Sequence, residues 1–263
     1  MVPQAGTWNP CGAMRACTFN IRHGRPPGRR GPDERRLLAS VTGLEADVIG
    51  LQEVDRRTRR SGGVDQPALL AAATGFDIRF AAAIDHDDGE YGLLLGVRGV
   101  ITGDEVLHLP GGGEPRIALL GRVRTERDGS EWAVACTHLT TVVEEVPAQL
   151  RAVLDGLTHL AGRGPAVLLG DLNAEVGVVS DVFGEHGFVA ASTGATHPST
   201  APVRRIDWIA VRGATVDHAV VVDVRASDHR PVLAEVHVDG GAVAPYPSER
   251  GAGDPPGGRG PRW

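Results

Sequence analysis

Residues 166–174 read AVLLGDLNA, an apolar run that ends in Asp171 and Asn173. A short run of this kind, bounded by Gly and Asp, is typical of a buried strand. Residues 146–161, just before it, place apolar side chains at three- and four-residue spacing, which predicts an amphipathic helix. Asp171 and Asn173 lie two positions apart near the strand end, so both can face the same side of the chain, although Asp171 could also form an Asx turn.

Similar runs extend along the chain in both directions. They are mostly five to seven residues long, are rich in Val, Ile and Leu, and predict strands at 15–21, 46–51, 91–97, 117–123, 132–137, 166–169, 205–211, 219–224 and 232–238. Helices are predicted at 32–44, 66–74, 146–161 and 178–187. Some strands are consecutive and others are separated by helices. This order predicts an α/β or α+β fold in which mixed sheets pack in layers.

The composition excludes several kinds of chemistry. Among the 263 residues, 27 are Lys or Arg, and every one of these is arginine. Without lysine the chain has neither a Schiff-base nucleophile nor a phosphate-loop lysine. The net charge of −6 provides no overall attraction to nucleic acid, so a nucleic-acid substrate is permitted but not indicated. A hydrophobic content of 41% is enough for the core of one large domain or two small ones.

The termini and the cysteines bear on domain limits and location. Residues 1–13 lack the features of a secretory signal and are predicted to be a flexible leader, with Met14 as an alternative start. Residues 14–239 are predicted to form the domain, and the Gly- and Pro-rich residues 240–263 a disordered tail. Three cysteines without metal-type spacing predict buried thiols. No apolar run approaches the roughly 20 residues of a membrane span, so the expected location is cytoplasmic.

Polar side chains that end or interrupt the apolar runs are candidate functional residues, because strand ends lie at the rim of a sheet where ligands bind. Besides Asp171 and Asn173, they are Asn20, Glu53, His138, Asp207, Asp228 and His229. Each also has a structural interpretation, such as a turn cap, a solvated loop carboxylate, a strand-bulge residue or a core imidazole. Independent turn residues would not need to be of these types in this order, so the joint pattern favours one site.

The segments that carry these residues resemble the successive signatures of a known family. TFNIRHG, DVIGLQEVD, CTHLT, LLGDLNA, RIDWI and SDHRPV are similar to motifs of the endonuclease/exonuclease/phosphatase superfamily, which includes DNase I-like nucleases, sphingomyelinases and inositol-polyphosphate phosphatases. The resemblance covers about residues 14–238. It implies a four-layer, DNase I-like sandwich of two packed mixed β-sheets flanked by helices. It also implies hydrolysis of a phosphate ester by water with a divalent cation, usually Mg²⁺ and alternatively Mn²⁺.

The resemblance also implies a role for each residue. At the metal it places Glu53 as the principal ligand, with Asn20 close by and Asp228 as a further carboxylate. The implied catalytic residues are Asp171 for the attacking water, Asn173 for the phosphate or that water, His229 paired with Asp207 on the phosphate, and His138 as a second imidazole. These residue types suit the chemistry, because Mg²⁺ prefers oxygen ligands and an imidazolium beside a carboxylate is a good phosphate donor.

The substrate stays open at this point. We expect a Mg²⁺-dependent phosphodiesterase whose substrate is a small-molecule, lipid-headgroup or nucleic-acid phosphoester, and no obligate protein partner. The alternatives are a DNA or RNA nuclease of the same superfamily, and a non-catalytic binding module on this scaffold. Four arginines at 56, 57, 59 and 60 could steer an anionic substrate or form a solvated face. His23 could approach the site or be a turn histidine, and a buried structural role is predicted for Arg116.

Overall fold

The computed structural model describes residues 13–238. Apart from Ala13, the predicted leader lies outside this range, as do the predicted tail and Cys11. The described strands are β1 (Met14–Asn20), β2 (Val48–Arg56), β3 (Asp77–His86), β4 (Gly89–Val97), β5 (Gly99–His108), β6 (Ile117–Thr125), β7 (Glu131–His138), β8 (Ala166–Asp171), β9 (Val189–Ala190), β10 (Asp207–Arg212), β11 (Ala214–Val221) and β12 (Val232–Val238). The described α-helices are α1 (Glu34–Gly43), α2 (Gln66–Thr74), α3 (Val146–Ala161) and α4 (Val176–Glu185).

The strands form two six-stranded sheets. One has the order β11-β12-β1-β2-β4-β3 and the other β5-β6-β7-β8-β10-β9. Each sheet has one parallel pair, β1 with β2 and β7 with β8, beside antiparallel pairs, so both are mixed. Each parallel pair needs a crossover, which α1 and α3 provide.

A four-layer sandwich results from how the apolar side chains are distributed. The inner faces of both sheets share one buried cluster that includes Val48 and Leu95 from the first sheet and Leu119 and Val167 from the second. A second cluster packs α3 and α4 on the outside of the second sheet, and a third packs α1 and α2 on the first. The sheets approach closely at Gly50, where an added Cβ would lie 2.9 Å from the Cβ of Leu169. The predicted fold class is thereby confirmed.

Two of the four helices have the predicted bounds at both ends, and the other two are displaced by one or two residues. α2 and α3 have the predicted bounds. α2 begins after Asp65, which accepts a hydrogen bond from Ala68 N, and it ends at Gly75 with φ 69°. α1 starts two residues later than predicted, because the Asp33 side chain caps it by accepting from Arg36 N. α4 runs from 176 to 185 and not from 178 to 187.

Three strands were missed and one was misplaced. β3, β5 and β9 are sheet-edge strands. β5 has no long apolar run, β9 has only two residues, and the apolar run at 80–84 in β3 is mostly alanine, which is depleted in strands. The strand predicted at 219–224 lies at 214–221, because the edge strand β11 begins in polar, largely exposed residues. Cys17 and Cys136 are buried free thiols, as predicted for cysteines in apolar runs. Among residues 13–238, none of the helices has the length and apolar character that crossing a bilayer requires.

Candidate active site

The candidate site lies where strand ends from both sheets meet. Cross-strand register places His138 of β7 beside Asp171 of β8, and Asp171 beside Asp207 of β10. Asn20 ends β1 in the other sheet, and its Nδ2 donates to Asp171 Oδ2 over 2.9 Å. This hydrogen bond joins residues 151 positions apart and connects the two sheets at the site.

The buried Asn20 amide connects two carboxylates. Its Nδ2 also donates to Glu53 Oε1 over 2.9 Å, while its Oδ1 accepts from Arg22 N over 3.0 Å. The assignment of nitrogen and oxygen follows from these partners. Asn20 therefore fixes the separation of Glu53 and Asp171. Its Nδ2 faces both carboxylates, so the amide would have to rotate before Oδ1 could bind a cation between them.

Glu53 reaches the site because β2 is irregular there. The pairing of β2 with β4 shifts between Leu51 and Val54, and Glu53 has φ 57°. A bulge redirects a side chain, and a positive φ is uncommon for glutamate. Burial raises the pKa of the Glu53 carboxyl, and so does nearby Asp171, although the Asn20 hydrogen bond opposes them. Among the described residues, none donates a hydrogen bond to Glu53 Oε2.

A buried ionic network stabilises the chain that follows this bulge. Asp55 is fully buried and accepts from Thr58 Oγ1, from Ser61 Oγ and from two nitrogens of Arg60, Nη2 at 2.6 Å and Nε at 2.8 Å. Burial alone would raise the pKa of Asp55, but these hydrogen bonds outweigh it and hold the pKa below its usual value. The chain just after Glu53 is therefore firmly held, which compensates for a strained residue.

Asp171 uses its two oxygens differently. Oδ1 accepts from Asn173 N over 2.9 Å, which is an Asx turn, and Asn173 has φ 52°. Oδ2 faces Asn20 and lies 3.6 Å from His138 Nε2 and 3.7 Å from His229 Nε2. Asn173 Nδ2 donates to Leu139 O over 2.9 Å. The turn interpretation and the functional one are thus compatible, because the turn directs Oδ2 to the site.

Asp207 and His229 form a buried pair. His229 Nδ1 lies 2.9 Å from Asp207 Oδ2, and Thr196 Oγ1 donates to the same oxygen. Burial by itself lowers the pKa of His229, but the carboxylates of Asp207, Asp171 and Asp228 outweigh it and raise the pKa to about 10. His229 is therefore an imidazolium near neutral pH, with its Nε2 turned toward Asp171.

His138 is neutral near pH 7, whereas His229 is protonated. Burial lowers its pKa to about 4, and Arg116 and the His229 imidazolium act in the same direction, while Asp171 opposes them. One neutral and one protonated imidazole therefore flank a single carboxylate oxygen. Titratable neighbours whose pKa values are pushed apart are the arrangement that acid–base chemistry requires.

Asp228 is half-buried and lies slightly apart from this group. Its Oδ2 is 3.2 Å from Arg22 Nε, and its Oδ1 accepts from Ser227 Oγ over 3.2 Å. Arg22 belongs to the TFNIRHG motif, lies two residues after the end of β1 and has φ 45°. A cation that bound Asp228 would therefore compete with this guanidinium.

Sequence reasoning missed His197. Its ring lies 4.8 Å from the His229 ring, centroid to centroid, at an interplanar angle of 48°. Burial lowers the pKa of His197, as does the neighbouring imidazolium. His197 lies in the loop before β10, outside every apolar run, so no sequence pattern set it apart from an ordinary loop histidine.

The arginine cluster is compensated within the chain. Arg56 pairs with Glu90, Arg57 with Asp65, Arg59 with Asp87 and Asp88, and Arg60 with Asp55. A surface cleft of about 690 Å³ lies beside the first two arginines, but none of the eight predicted site residues lines it. Both arginines of its lining already form ion pairs, Arg56 with Glu90 and Arg57 with Asp65, whereas the predicted residues converge around Asp171.

His23 and Arg116 occupy different places: the charged neighbours of His23 include none of the eight candidate residues, whereas Arg116 lies near His138. His23 is buried in a 3-10 turn near Arg60 and Asp55, and burial together with Arg60 lowers its pKa to about 4. The Arg116 side chain is mostly buried, as predicted, and its Nη2 lies 3.3 Å from Glu114 Oε1. Arg116 also lines a small cavity that His138 and Tyr91 border.

The donor set fits a hard divalent cation. Four acidic side chains, Glu53, Asp171, Asp207 and Asp228, face two cationic groups, His229 and Arg22, so negative charge is in excess. Asp171, Asp207 and His229 present ligand atoms within 4.8 Å of one another, but Asp207 and His229 already bond to each other. The free Glu53 oxygen beside Asn20 and Asp171 is the better place, because Mg²⁺ takes one or two carboxylates together with water and phosphate.

Comparisons with known proteins identify the family and the fold. A sequence model of the Endonuclease/Exonuclease/phosphatase family matches residues 17–229. An endonuclease/exonuclease/phosphatase structure from Beutenbergia cavernae superposes with a TM-score of 0.72 at 27% identity, over 89% of this chain and 73% of that one. A mannosyl-6-phosphatase from Bacteroides thetaiotaomicron superposes with a TM-score of 0.70 at 19% identity, over 85% of this chain and 99% of that one, which shows the fold alone.

A curated relative matches only in part. A UPF0294 protein of Yersinia pseudotuberculosis is 36% identical over 77 residues, which is 28% of this chain and 30% of that protein. The family match, in contrast, begins in β1 and ends at His229, so it spans all eight residues around the candidate site. The chain belongs to the Endonuclease/Exonuclease/phosphatase family.

Proposed function

We propose that this protein is a Mg²⁺-dependent phosphodiesterase that hydrolyses its substrate with water. The observation that carries the proposal is the position of Asp171 Oδ2. This buried oxygen lies 2.9 Å from the Asn20 amide and within 3.7 Å of one neutral and one protonated imidazole. A carboxylate in this setting can orient a water and accept its proton while the imidazoles face the phosphate.

The protonated imidazole supplies the main electrostatic contribution of the chain itself. Charge in phosphoryl transfer spreads over the phosphoryl oxygens, so donors fixed in advance stabilise the transition state. His229 Nε2 is such a donor, because Asp207 holds its Nδ1 and keeps the ring charged. His138 is neutral, and in the tautomer with its hydrogen on Nε2 it is a donor for the phosphate or the leaving oxygen. Asn173 donates one amide hydrogen to Leu139 O and keeps the other for the phosphate or the water.

The cation would be held by Glu53, with Asn20 close by and Asp228 on the same side. When bound there, a divalent cation would neutralise phosphate charge and acidify a water. Mn²⁺ prefers the same oxygen ligands and is expected to substitute for Mg²⁺. The raised pKa of Glu53 supports the assignment, because a cation would favour the charged form that burial disfavours.

The substrate class is inferred from charge. The arginines at 56–60 are all ion-paired, so they do not form an open basic surface that follows a nucleic-acid backbone. A small-molecule or lipid-headgroup phosphodiester is therefore favoured over DNA or RNA. The mannosyl-6-phosphatase among the structural neighbours makes sugar phosphates a further class to test.

A substrate panel with metal controls tests the proposal. Purified protein is assayed with Mg²⁺, Mn²⁺ or EDTA on bis-p-nitrophenyl phosphate, sphingomyelin, inositol phosphates, mannose 6-phosphate, plasmid DNA and RNA. We expect EDTA-sensitive turnover of a diester, abolished in Glu53→Gln and retained in Glu185→Gln, an exposed glutamate on α4 that pairs with Arg151. No hydrolysis of any substrate, together with unchanged Mg²⁺ binding in Glu53→Gln, would refute the proposal.

A further inference from the structure

Among the described residues, His197 is an imidazole in ring contact with His229 that the mechanism above does not use. Its ring packs against His229 with centroids 4.8 Å apart, and its charge environment includes Asp228, Asp171 and Asp207. It lies in none of the six motifs, since it is in the loop between β9 and β10. The question is whether it only packs on His229 or contacts the substrate.

The loop that carries His197 is fastened to the segment that carries Asp228 and His229. Arg230 N donates to Thr196 O over 2.9 Å, and Ser199 N donates to Asp228 O over 2.6 Å. Ser199 Oγ donates to Ser227 O over 2.6 Å. His197 therefore sits between two anchored residues, and its position relative to His229 is fixed by backbone hydrogen bonds as well as by the ring contact.

A second set of hydrogen bonds closes the loop on itself. His197 N donates to Arg204 O over 3.0 Å, and Arg204 N donates to His197 O over 2.9 Å. The Thr196 hydroxyl donates to Asp207, the partner of His229. Both backbone groups of His197 therefore have hydrogen bonds, whereas its imidazole has none to any of residues 13–238.

The two ring nitrogens of His197 have different environments. Nδ1 is buried and has no hydrogen-bond partner among the described residues. Nε2 is not fully buried, and it has no hydrogen-bond partner among the described residues either. Because a buried N–H without a partner is rarer in proteins than a buried unpaired acceptor, the favoured tautomer carries its hydrogen on Nε2. The ring that packs against the His229 imidazolium therefore carries its N–H on the nitrogen that is not fully buried.

We propose that His197 contacts the substrate and donates a hydrogen bond from Nε2 to a phosphate oxygen. The inference rests on the proposed function. A phosphodiester is a monoanion, and a neutral donor adds a hydrogen bond without a further positive charge. His197 would be the third imidazole of the site, beside His138 and His229, in a chain that has no lysine to offer instead.

Two substitutions at position 197 separate contact from packing. His197→Gln retains an N–H donor close to the position of Nε2, whereas His197→Phe retains the ring against His229 and loses the donor. We expect His197→Phe to lower kcat/KM on bis-p-nitrophenyl phosphate about 10- to 100-fold, the value of one hydrogen bond to a charged group, and His197→Gln to stay within a few-fold of wild type. Urea denaturation of each variant shows whether it is folded. A loss in Gln with retention in Phe would mean that only ring packing matters, and full activity in both would equally overturn the inference.

Phosphate binding gives a readout that does not depend on turnover. In long-range ¹H–¹⁵N spectra of the histidine rings, titration with inorganic phosphate should shift the Nε2 signals of His197 and His229 together. A shift of His229 alone overturns the inference while leaving the proposed function in place. Asp171→Asn is the reference for the function itself: if it is as active as wild type, the proposed function fails, and the phosphate titration still decides the role of His197.

Discussion

Replacing Asp207 by Asn tests the electrostatic core of the site. The change keeps the volume of the side chain and removes the charge that lies 2.9 Å from His229 Nδ1. The rise of the His229 pKa from 6.5 to about 10 corresponds to about 5 kcal/mol in favour of the protonated ring, and Asp207 is the first of the carboxylates that cause it. Since Asp171 and Asp228 remain, we expect the pKa of His229 to fall by at least about two in Asp207→Asn, which is equivalent to about 3 kcal/mol.

The same reasoning predicts how stability depends on pH. Because the pKa of His229 is higher in the folded state, its contribution to the free energy of unfolding is fully present below pH 6.5 and is lost as pH rises toward 10. Asp207→Asn should therefore destabilise the metal-free protein by about 3 kcal/mol at pH 7, the cost of breaking a buried pair, and by less at pH 9.5.

Histidine NMR titration and urea denaturation in EDTA measure both quantities. Asp155→Asn is the matched control, because Asp155 lies 3.1 Å from His186 Nε2 but has a 75% exposed side chain. An exposed pair of this kind contributes less than about 1 kcal/mol. If Asp207→Asn leaves the His229 pKa near 10, or destabilises the protein no more than the control does, the buried-pair argument is refuted.

Three further predictions concern the metal site, acid stability and packing. Glu53→Gln should abolish the rise in Tm that Mg²⁺ causes. The metal-free variant should be at least as stable as wild type at pH 7, because burial raises the pKa of Glu53 and so disfavours its charged form. A lower Tm of the metal-free variant would contradict this. The pKa of buried His138 is lowered to about 4, so between pH 6.5 and pH 4 the unfolded chain takes up a proton at this residue that the folded protein does not. The free energy of unfolding should therefore fall by up to about 3 kcal/mol over this range. In urea denaturation, His138→Asn should lose less stability between the same two pH values. Gly92→Ala would place a Cβ 1.9 Å from Ala81 O and should destabilise the protein by about 3 kcal/mol or more. In Gly103→Ala the new Cβ has no atom within 4 Å, so the free energy of unfolding should fall by less than about 1 kcal/mol. Equal losses in the two variants would show that the close approach of Gly92 to Ala81 does not determine the cost.

The sequence was informative wherever one buried face controls local structure. β8 and α3 were predictable because apolar residues recur at strand or helix spacing, and α2 because Asp65 and Gly75 mark its ends. β3 and β5 were not, since β5 carries no long apolar run and the run at 80–84 in β3 is mostly alanine, which is depleted in strands. The eight candidate residues were found from residue type and motif order, because strand ends place polar groups at a sheet rim.

The tertiary structure decided what those residues do to one another. Nothing in the sequence shows that Asn20 bonds to Asp171 across 151 positions, or that His138 is neutral while His229 is charged. Charge state depends on burial and on distances to carboxylates in other strands, which only packing establishes. His197 could not be identified from the sequence for the same reason, because a loop histidine reaches His229 only through the hydrogen bonds that hold its loop against another segment. Sequence alone therefore determined the family, the layers and the candidate residues, whereas folding determined their charge states and hydrogen bonds and brought His197 against His229.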